Sequence, residues 1–176
     1  MTRIAAREIA VQMVYTLDFS LDVDELFADR LDPDFYGRMA DEDALFASAP
    51  DDAQLEYISQ VVRGVSDHMT ELDGYIERYS VGWKFGRLPR VSVAIMRVCM
   101  YELLYMHDIP VAASVNAAVE IAHKYEPDEM TSFINGILGS FSRAELGGRG
   151  EAAESEPDEP AVSEPPVTEA VECETE

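Results

Sequence analysis

Cysteines, cations and long apolar runs are all scarce in this chain, and each scarcity excludes a class of protein. The two cysteines, Cys99 and Cys173, lie in an apolar and an acidic segment, so we expect a buried free thiol and an incidental one, not a disulfide. No apolar run approaches the roughly 18 residues that a membrane-spanning helix needs. The first residues also lack the apolar core of a signal peptide. The composition therefore predicts a cytoplasmic protein with no membrane partner.

Constellations that would carry catalysis or hold a cofactor are also missing from the sequence. The histidines, His68, His107 and His123, lie far apart without cysteines at ligand spacing, whereas a metal site needs convergent ligands. There is no Gly-x-Ser-x-Gly turn for a nucleophile and no glycine-rich loop that opens a helix to cradle phosphate. We therefore expect no enzyme, no metal and no cofactor.

Positive charge is both scarce and unevenly distributed. The 176 residues include 35 acidic and 13 basic side chains, for a net charge of −22. Residues 151–176 hold ten acids and no base, residues 1–80 hold 18 acids and six bases, and residues 81–150 hold seven of each. Because phosphate neutralisation dominates the affinity of proteins for nucleic acid, any RNA site on this chain must be local and small, and we expect a partner to assist it.

Helical periodicity is abundant, and alternating strand patterns are absent. Apolar residues recur at steps of three and four along five segments, at residues 4–18, 53–79, 91–106, 112–125 and 128–144. The acidic stretch 22–52 accommodates a short helix at about 24–30, and we expect the rest of it to be a surface connection with one further helical turn. The sequence therefore predicts an all-α fold of about six to seven helices.

Two glycine- and proline-related features refine this prediction. Gly64 interrupts the longest periodic segment at a cost of roughly 1 kcal/mol against alanine, which a close helix crossing would explain. Asp128 follows Pro127 and is predicted to cap the last helix.

Residues 147–176 hold four prolines and no aromatic residue, so we expect a helical domain over 1–146 and a disordered acidic tail over 147–176.

A cationic group between the second and third long helical segments is a candidate for RNA contact. Lys84, Arg87 and Arg90 follow Trp83 and flank Phe85. Cations interleaved with aromatics suit single-stranded RNA, which offers phosphates and unstacked bases. Whether these three cations bind RNA or serve the structure of the loop stays open at this point.

The neighbours of this group have a structural interpretation. We expect Trp83 and Leu88 to anchor the loop to the core. Arg97 is then expected to be a structural ion-pair partner of a helix carboxylate such as Glu102.

A second candidate group lies on the first helix. Arg3 and Arg7 are one turn apart, and Tyr15 follows about two turns beyond Arg7 on roughly the same side. RNA contact and a plainer arrangement, two solvated arginines with a core tyrosine, are both compatible with this spacing.

A third group lies near the start of the last helix. Glu129, Met130 and Phe133 fall on one side there. An acid beside an apolar patch suits a basic protein partner, although a phenylalanine such as Phe133 is more often a core residue than an interface residue.

Four strings give the chain a family resemblance. They are AREIAVQMVY at 6–15, AIMRVCMYELL at 94–104, NAAVEIA at 116–122 and FINGIL at 133–138. In this order and spacing they resemble the NusB family, over about residues 3–142. The resemblance implies two packed groups of helices, binding to the boxA element of ribosomal RNA leader transcripts, and a ribosomal protein partner, NusE, within the RNA polymerase antitermination complex.

The resemblance also assigns roles by position. It implies that Arg7 and Tyr15 face RNA, that Glu129 lies near RNA and partner, and that Phe133 lies at the partner interface. Family members often begin with several consecutive arginines, whereas this chain has only Arg3 and Arg7 there. Fewer phosphate contacts lower the RNA affinity expected of the chain alone. The net charge of −12 on residues 1–150 supports an alternative, a homodimeric protein-interaction scaffold of the same fold with weak RNA affinity, whose dimer contact would bury the N-terminal arginine face.

Overall fold

Eight α-helices and two 3-10 turns form the regular structure of residues 1–19 and 22–147, which are the residues that the computed structural model describes. In chain order the helices are α1 (Arg3–Leu17), α2 (Val23–Arg30), α3 (Pro33–Met39), α4 (Asp52–Asp67), α5 (Met69–Tyr79), α6 (Arg90–Tyr105), α7 (Val111–Tyr125) and α8 (Asp128–Glu145). The 3-10 turns are Ala44–Phe46 and Phe85–Arg87. The predicted all-α class is confirmed, with one helix more than expected. Within the described ranges no helix is long and apolar enough to cross a membrane.

Helix α6 is the centre of the fold. Twelve of its 16 residues are buried, which agrees with its apolar sequence. It contacts α1, α4, α5, α7 and α8, while α1 packs on α4 and α7 packs on α8. It therefore joins two groups of helices, as the family resemblance implied.

The periodic segment 53–79 was predicted as one element, and this prediction is wrong at His68. This residue leaves the α region, with φ −108° and ψ 14°, and separates α4 from α5. Its N–H still donates to the Gly64 carbonyl and its carbonyl accepts from Leu72, so little backbone hydrogen bonding is lost. Val65 and Leu72, on either side of the break, are both fully buried. The apolar spacing survives because both helices line the same core.

The predicted close approach at Gly64 is confirmed. A Cβ atom built on this residue would lie 2.1 Å from Cζ of Tyr101, on α6. Only a glycine lets α4 and α6 cross at this distance, which explains why the helix accepts its conformational cost.

The acidic stretch 22–52 is more structured than expected. The predicted short helix is α2, but α3 and the turn Ala44–Phe46 follow it. Phe35, Tyr36 and Phe46 are buried and meet edge to face, with the centroids of Phe35 and Phe46 5.4 Å apart. A cluster of three rings gives this segment its own contribution to the core, which the acid content concealed.

At the end of the domain, helix α8 begins one residue earlier than its predicted cap allows. Pro127 precedes the helix, and Asp128 is its first residue and not its cap. Its carboxylate still lies in the first turn, where the helix dipole favours negative charge. The tail predicted over 147–176 falls, from residue 148 onward, outside the described residues.

Candidate RNA and partner interface

The loop between α5 and α6 presents exposed cations beside an exposed tryptophan. Lys84 and Arg87 are exposed, and Trp83 is 45% exposed. Leu88 is buried and anchors the loop as predicted, whereas the expectation that Trp83 is a core anchor is wrong. Gly82 has a φ of 83°, which lets the chain turn sharply after α5. Leu88 holds the loop on the core, and the indole of Trp83 remains partly exposed to solvent.

The indole instead contacts the candidate partner residues on α8. The ring centroids of Trp83 and Phe133 are 5.3 Å apart. Phe133 and Met130 are partly buried against the core and Glu129 is exposed. The cationic loop therefore adjoins the start of α8, so two groups predicted separately from the sequence form one continuous surface.

Arg90 joins this loop to the end of α1. Its Nη1 donates to the carbonyl of Asp18 at 3.4 Å, and its guanidinium lies 5.1 Å from the ring centroid of Phe19. Phe19 is 56% exposed, and its ring centroid is 5.3 Å from that of Tyr15. The structure thus brings Tyr15 and Arg90 together through Phe19.

Phe19 was missed by the sequence reasoning. Its spacing of four residues from Tyr15 was an available signal, because residues four apart lie on one face of a helix. The acid at position 18 and the end of the apolar stripe made it look like part of the acidic connection.

Arg7, the second arginine of α1, is 9% exposed. Its Nε donates to both carboxylate oxygens of Glu102 on α6, at 2.8 and 3.1 Å. The hydroxyl of Tyr57 donates to the same carboxylate, and the guanidinium lies 5.9 Å from the Tyr57 ring centroid. Burial lowers the pKa of Arg7, but the neighbouring Glu102 and Tyr57 together more than offset this, so the pKa lies above its ordinary value. The geometry is that of a buried ion pair between α1 and α6.

The predicted role of Arg97 as a structural ion-pair partner of a helix carboxylate is confirmed, but the carboxylate is not that of Glu102, which pairs with Arg7. Arg97 is buried and donates from Nε and Nη2 to Asp73 on α5, at 2.7 and 2.9 Å. Its Nη1 donates to Asp18, just beyond α1, at 2.7 Å. One guanidinium therefore fastens the end of α1 and the middle of α5 to α6.

Arg3 lies at the opposite end of α1 from this surface. It is exposed and lines a groove of about 620 Å³ between α1, α4 and the turn that precedes α7. Asp51, Glu56 and Asp108 line the same groove. The helix between Arg3 and Asp18 spans about 22 Å at 1.5 Å per residue. The structure therefore does not bring Arg3 together with Lys84, Arg87 and Arg90.

The described residues contain no group of three or more histidines, cysteines, aspartates or glutamates placed to hold a metal ion. Cys99 is a free, buried thiol, as predicted. Burial raises its pKa well above the ordinary value, which keeps the thiol protonated. Cys99 therefore serves as a small apolar side chain in the core.

Fold and surface together define a class, an all-helical domain that displays aromatic and cationic side chains side by side. The pattern of the NusB family matches residues 4–143. The chain therefore belongs to the NusB family, and the resemblance predicted from its four strings is confirmed.

Curated relatives support this membership over most of the chain. The chain is 37% identical over 146 residues to the transcription antitermination protein NusB of Acetivibrio thermocellus, a match that covers 83% of this chain and 92% of that protein. It is 39% identical over 145 residues to the protein of the same name from Thermoanaerobacter sp. strain X514, with coverages of 82% and 93%.

Solved structures share the fold. T. maritima NusB superposes with a TM-score of 0.68 at 25% identity, covering 82% of this chain and 92% of that one. A chain from the crystal structure of the antitermination factors NusB and NusE in complex with double-stranded RNA has a TM-score of 0.65 at 23% identity, with coverages of 81% and 96%. At that identity the second likeness supports the fold alone.

Proposed function

We propose that this protein is a transcription antitermination factor. It binds the boxA-type RNA of ribosomal RNA leader transcripts together with the ribosomal protein NusE, and it joins the RNA polymerase antitermination complex. It acts in the cytoplasm by assembly and not by catalysis, and it needs no cofactor. Membership of a family whose curated relatives are named transcription antitermination proteins supports this function. The contact of Trp83 with Phe133 is the observation that supports assigning this function to the surface formed by the α5–α6 loop and the start of α8.

On the RNA side, Lys84, Arg87 and Arg90 hold phosphates along the loop. Tyr15, partly buried near Arg90, borders the same surface. Arg3 offers a second phosphate contact about 22 Å away along α1, which an extended strand of several nucleotides can span.

Arg7 contributes to the RNA site as a positioning residue. Its guanidinium is buried against Glu102, so it holds α1 on α6 without presenting its charge to phosphates. Reversal of its charge would therefore disturb the fold before it reported on RNA, and the cations of the loop are the better test.

On the partner side, Glu129, Met130 and Phe133 form an apolar patch with an acid at its edge, which Trp83 extends. This chemistry suits a basic ribosomal protein, because charge complementarity fixes the orientation of a partner and apolar anchors supply affinity. Trp83 directly precedes Lys84 and its ring contacts that of Phe133, so the two surfaces adjoin. If the binding of RNA and of NusE is coupled there, each raises the affinity for the other by the same factor.

The RNA side is tested by reversal of charge in the loop. We expect the double variant Lys84→Glu/Arg87→Glu to bind a boxA-type RNA more weakly. On a single strand, two lost phosphate contacts reduce the slope of log affinity against log salt by about 1.4. The control variant Arg38→Glu/Arg143→Glu alters two exposed cations outside the loop by the same total charge. Equal losses in both double variants would contradict a local RNA face.

The partner side is tested with Phe133→Ala and with Asn135→Ala as its exposed control on the same helix. We expect Phe133→Ala to weaken NusE binding at least tenfold, since a central aromatic anchor is commonly worth about 2 kcal/mol or more. Light scattering over a range of protein concentrations completes the test. A stable homodimer indifferent to RNA and to NusE would support the scaffold alternative instead.

A further inference from the structure

Phe19 is an exposed aromatic residue that the proposed RNA contacts leave without a role. It lies two residues beyond the end of α1 and is 56% exposed. A single exposed apolar side chain is ordinary in itself. Two further observations distinguish this one, the cation on its ring and the hydrogen bonds that hold the residue before it.

The cation on the ring is Arg90, whose guanidinium lies 5.1 Å from the centroid. The ring of Tyr15 lies 5.3 Å from that of Phe19, at an interplanar angle of 60°. A phenyl ring with an arginine against it and a tyrosine beside it offers flat, polarisable surface and positive charge together. Nucleic-acid bases stack on both aromatic rings and guanidinium planes, and the adjoining phosphates favour the charge.

The support of Phe19 is a pair of arginines that hold the preceding residue. Arg97, itself 4% exposed, donates to the carboxylate of Asp18 at 2.7 Å, and Arg90 donates to its carbonyl at 3.4 Å. The backbone next to the ring is therefore fastened from two directions. A stacking surface that is already ordered loses little entropy when a base arrives.

We infer that Phe19, with Arg90 and Tyr15, forms a stacking platform for one unpaired base of the bound RNA. The inference rests on the proposed RNA function and adds to it a contact with a base, whereas Lys84 and Arg87 contact phosphates. Stacking tolerates different bases because every base has a flat face. The platform therefore adds affinity for single-stranded RNA over a duplex, whose bases are stacked on one another.

The test compares two RNA ligands of equal charge. One is a single-stranded boxA-type RNA. The other is the same RNA with the base removed at a single position, and this position is varied along the strand; every phosphate is kept. Phe19→Leu keeps an apolar side chain without an aromatic face, and Phe19→Trp keeps the face. We expect Phe19→Leu to bind the intact RNA about tenfold more weakly, the factor that corresponds to about 1.4 kcal/mol, within the range measured for stacking of a single base.

Removal of the base that occupies the platform should weaken binding by the native protein by a similar factor and have no further effect in Phe19→Leu. Phe19→Trp should bind the intact RNA at least as tightly as the native protein. Lys84→Glu/Arg87→Glu should instead weaken binding of intact and base-depleted RNA alike. Thermal unfolding of each variant confirms that the fold is retained, as expected for an exposed position.

Three results would overturn the inference, and they are distinguishable. If Phe19→Leu binds both RNAs like the native protein, the platform is absent and the proposed RNA function stands. If Phe19→Leu weakens NusE binding and leaves RNA binding unchanged, the ring is a protein contact. If the native protein binds no RNA even with NusE present, the proposed function and the platform fail together.

Discussion

Gly64 lies against the ring of Tyr101, and a single added methyl group there tests how α4 packs on α6. In Gly64→Ala the new Cβ would approach Cζ of Tyr101 to 2.1 Å, and the buried ring has to shift. We expect a loss of about 1–3 kcal/mol in the free energy of unfolding, typical of an overpacked core. Urea unfolding measures it. Gly74→Ala in α5 is the control, because its Cβ meets nothing within 4 Å, and it should stabilise the protein by about 0.5–1 kcal/mol.

The buried pair of Arg7 and Glu102 is the second feature at the residue scale that a substitution can probe. Glu102→Leu leaves the guanidinium of Arg7 buried without its carboxylate, and we expect a loss of about 3–5 kcal/mol by urea unfolding. The double variant Arg7→Leu/Glu102→Leu should regain part of this loss, since an apolar pair needs no compensating charge. A loss below about 1 kcal/mol in Glu102→Leu would mean that Arg7 is solvated, and its charge would then be available to RNA.

At the scale of the helices, the capping box that begins α4 is open to test. Oδ1 of Asp51 accepts from the N–H of Gln54 at 2.9 Å, and Oε1 of Gln54 accepts from the N–H of Asp51 at 3.0 Å. We expect Asp51→Ala to lower the melting temperature through a loss of about 1 kcal/mol. Asp51→Asn keeps an acceptor at the same position and should be nearly neutral. Equal destabilisation by both variants would point to the charge of Asp51 in place of its hydrogen bond.

Most of the helices, but not all of their boundaries, could be predicted from the sequence. Five long helical segments follow from apolar spacing because each helix must bury one face. The break at His68 could not be predicted, because the apolar spacing continues across it and no glycine or proline marks it. Helix α3 is longer than the one further turn expected in the stretch 22–52, because the acids of that stretch suggested solvent although Phe35 and Tyr36 supply a buried face.

The candidate site was only partly predictable, because contacts between residues far apart in sequence decide which side chains are exposed. Charge and aromatic spacing identified the loop that holds Lys84, but partners far apart in sequence decide which cation is exposed. Arg7 and Arg97 are each buried by carboxylates contributed from other helices. Phe19 contacts Tyr15, which lies four residues earlier, so the sequence alone could suggest that contact. It also lies beside Arg90, 71 positions later, and only the folded structure shows that second contact.

At the scale of the whole molecule, we expect the excess of negative charge to oppose RNA binding. The net charge is −22, and residues 148–176 contribute ten acids and one base, a net −9. Their removal leaves −13 on residues 1–147. Any repulsion between these acids and phosphates opposes the local attraction of the cationic loop, and added salt screens it within about 10 Å at 0.1 M.

Truncation after residue 147 tests this balance. We expect the shortened protein to bind a boxA-type RNA more tightly at low salt, with the advantage decreasing as salt rises, because screening weakens the repulsion. Substitution of the ten acids by glutamine and asparagine in the full chain is the matched control, since it removes the charge and keeps the length. If truncation tightens binding and neutralisation does not, the segment excludes RNA by its bulk. If neither variant alters the affinity at any salt concentration, the acids lie too far from the RNA to repel it, and the loop alone sets the affinity.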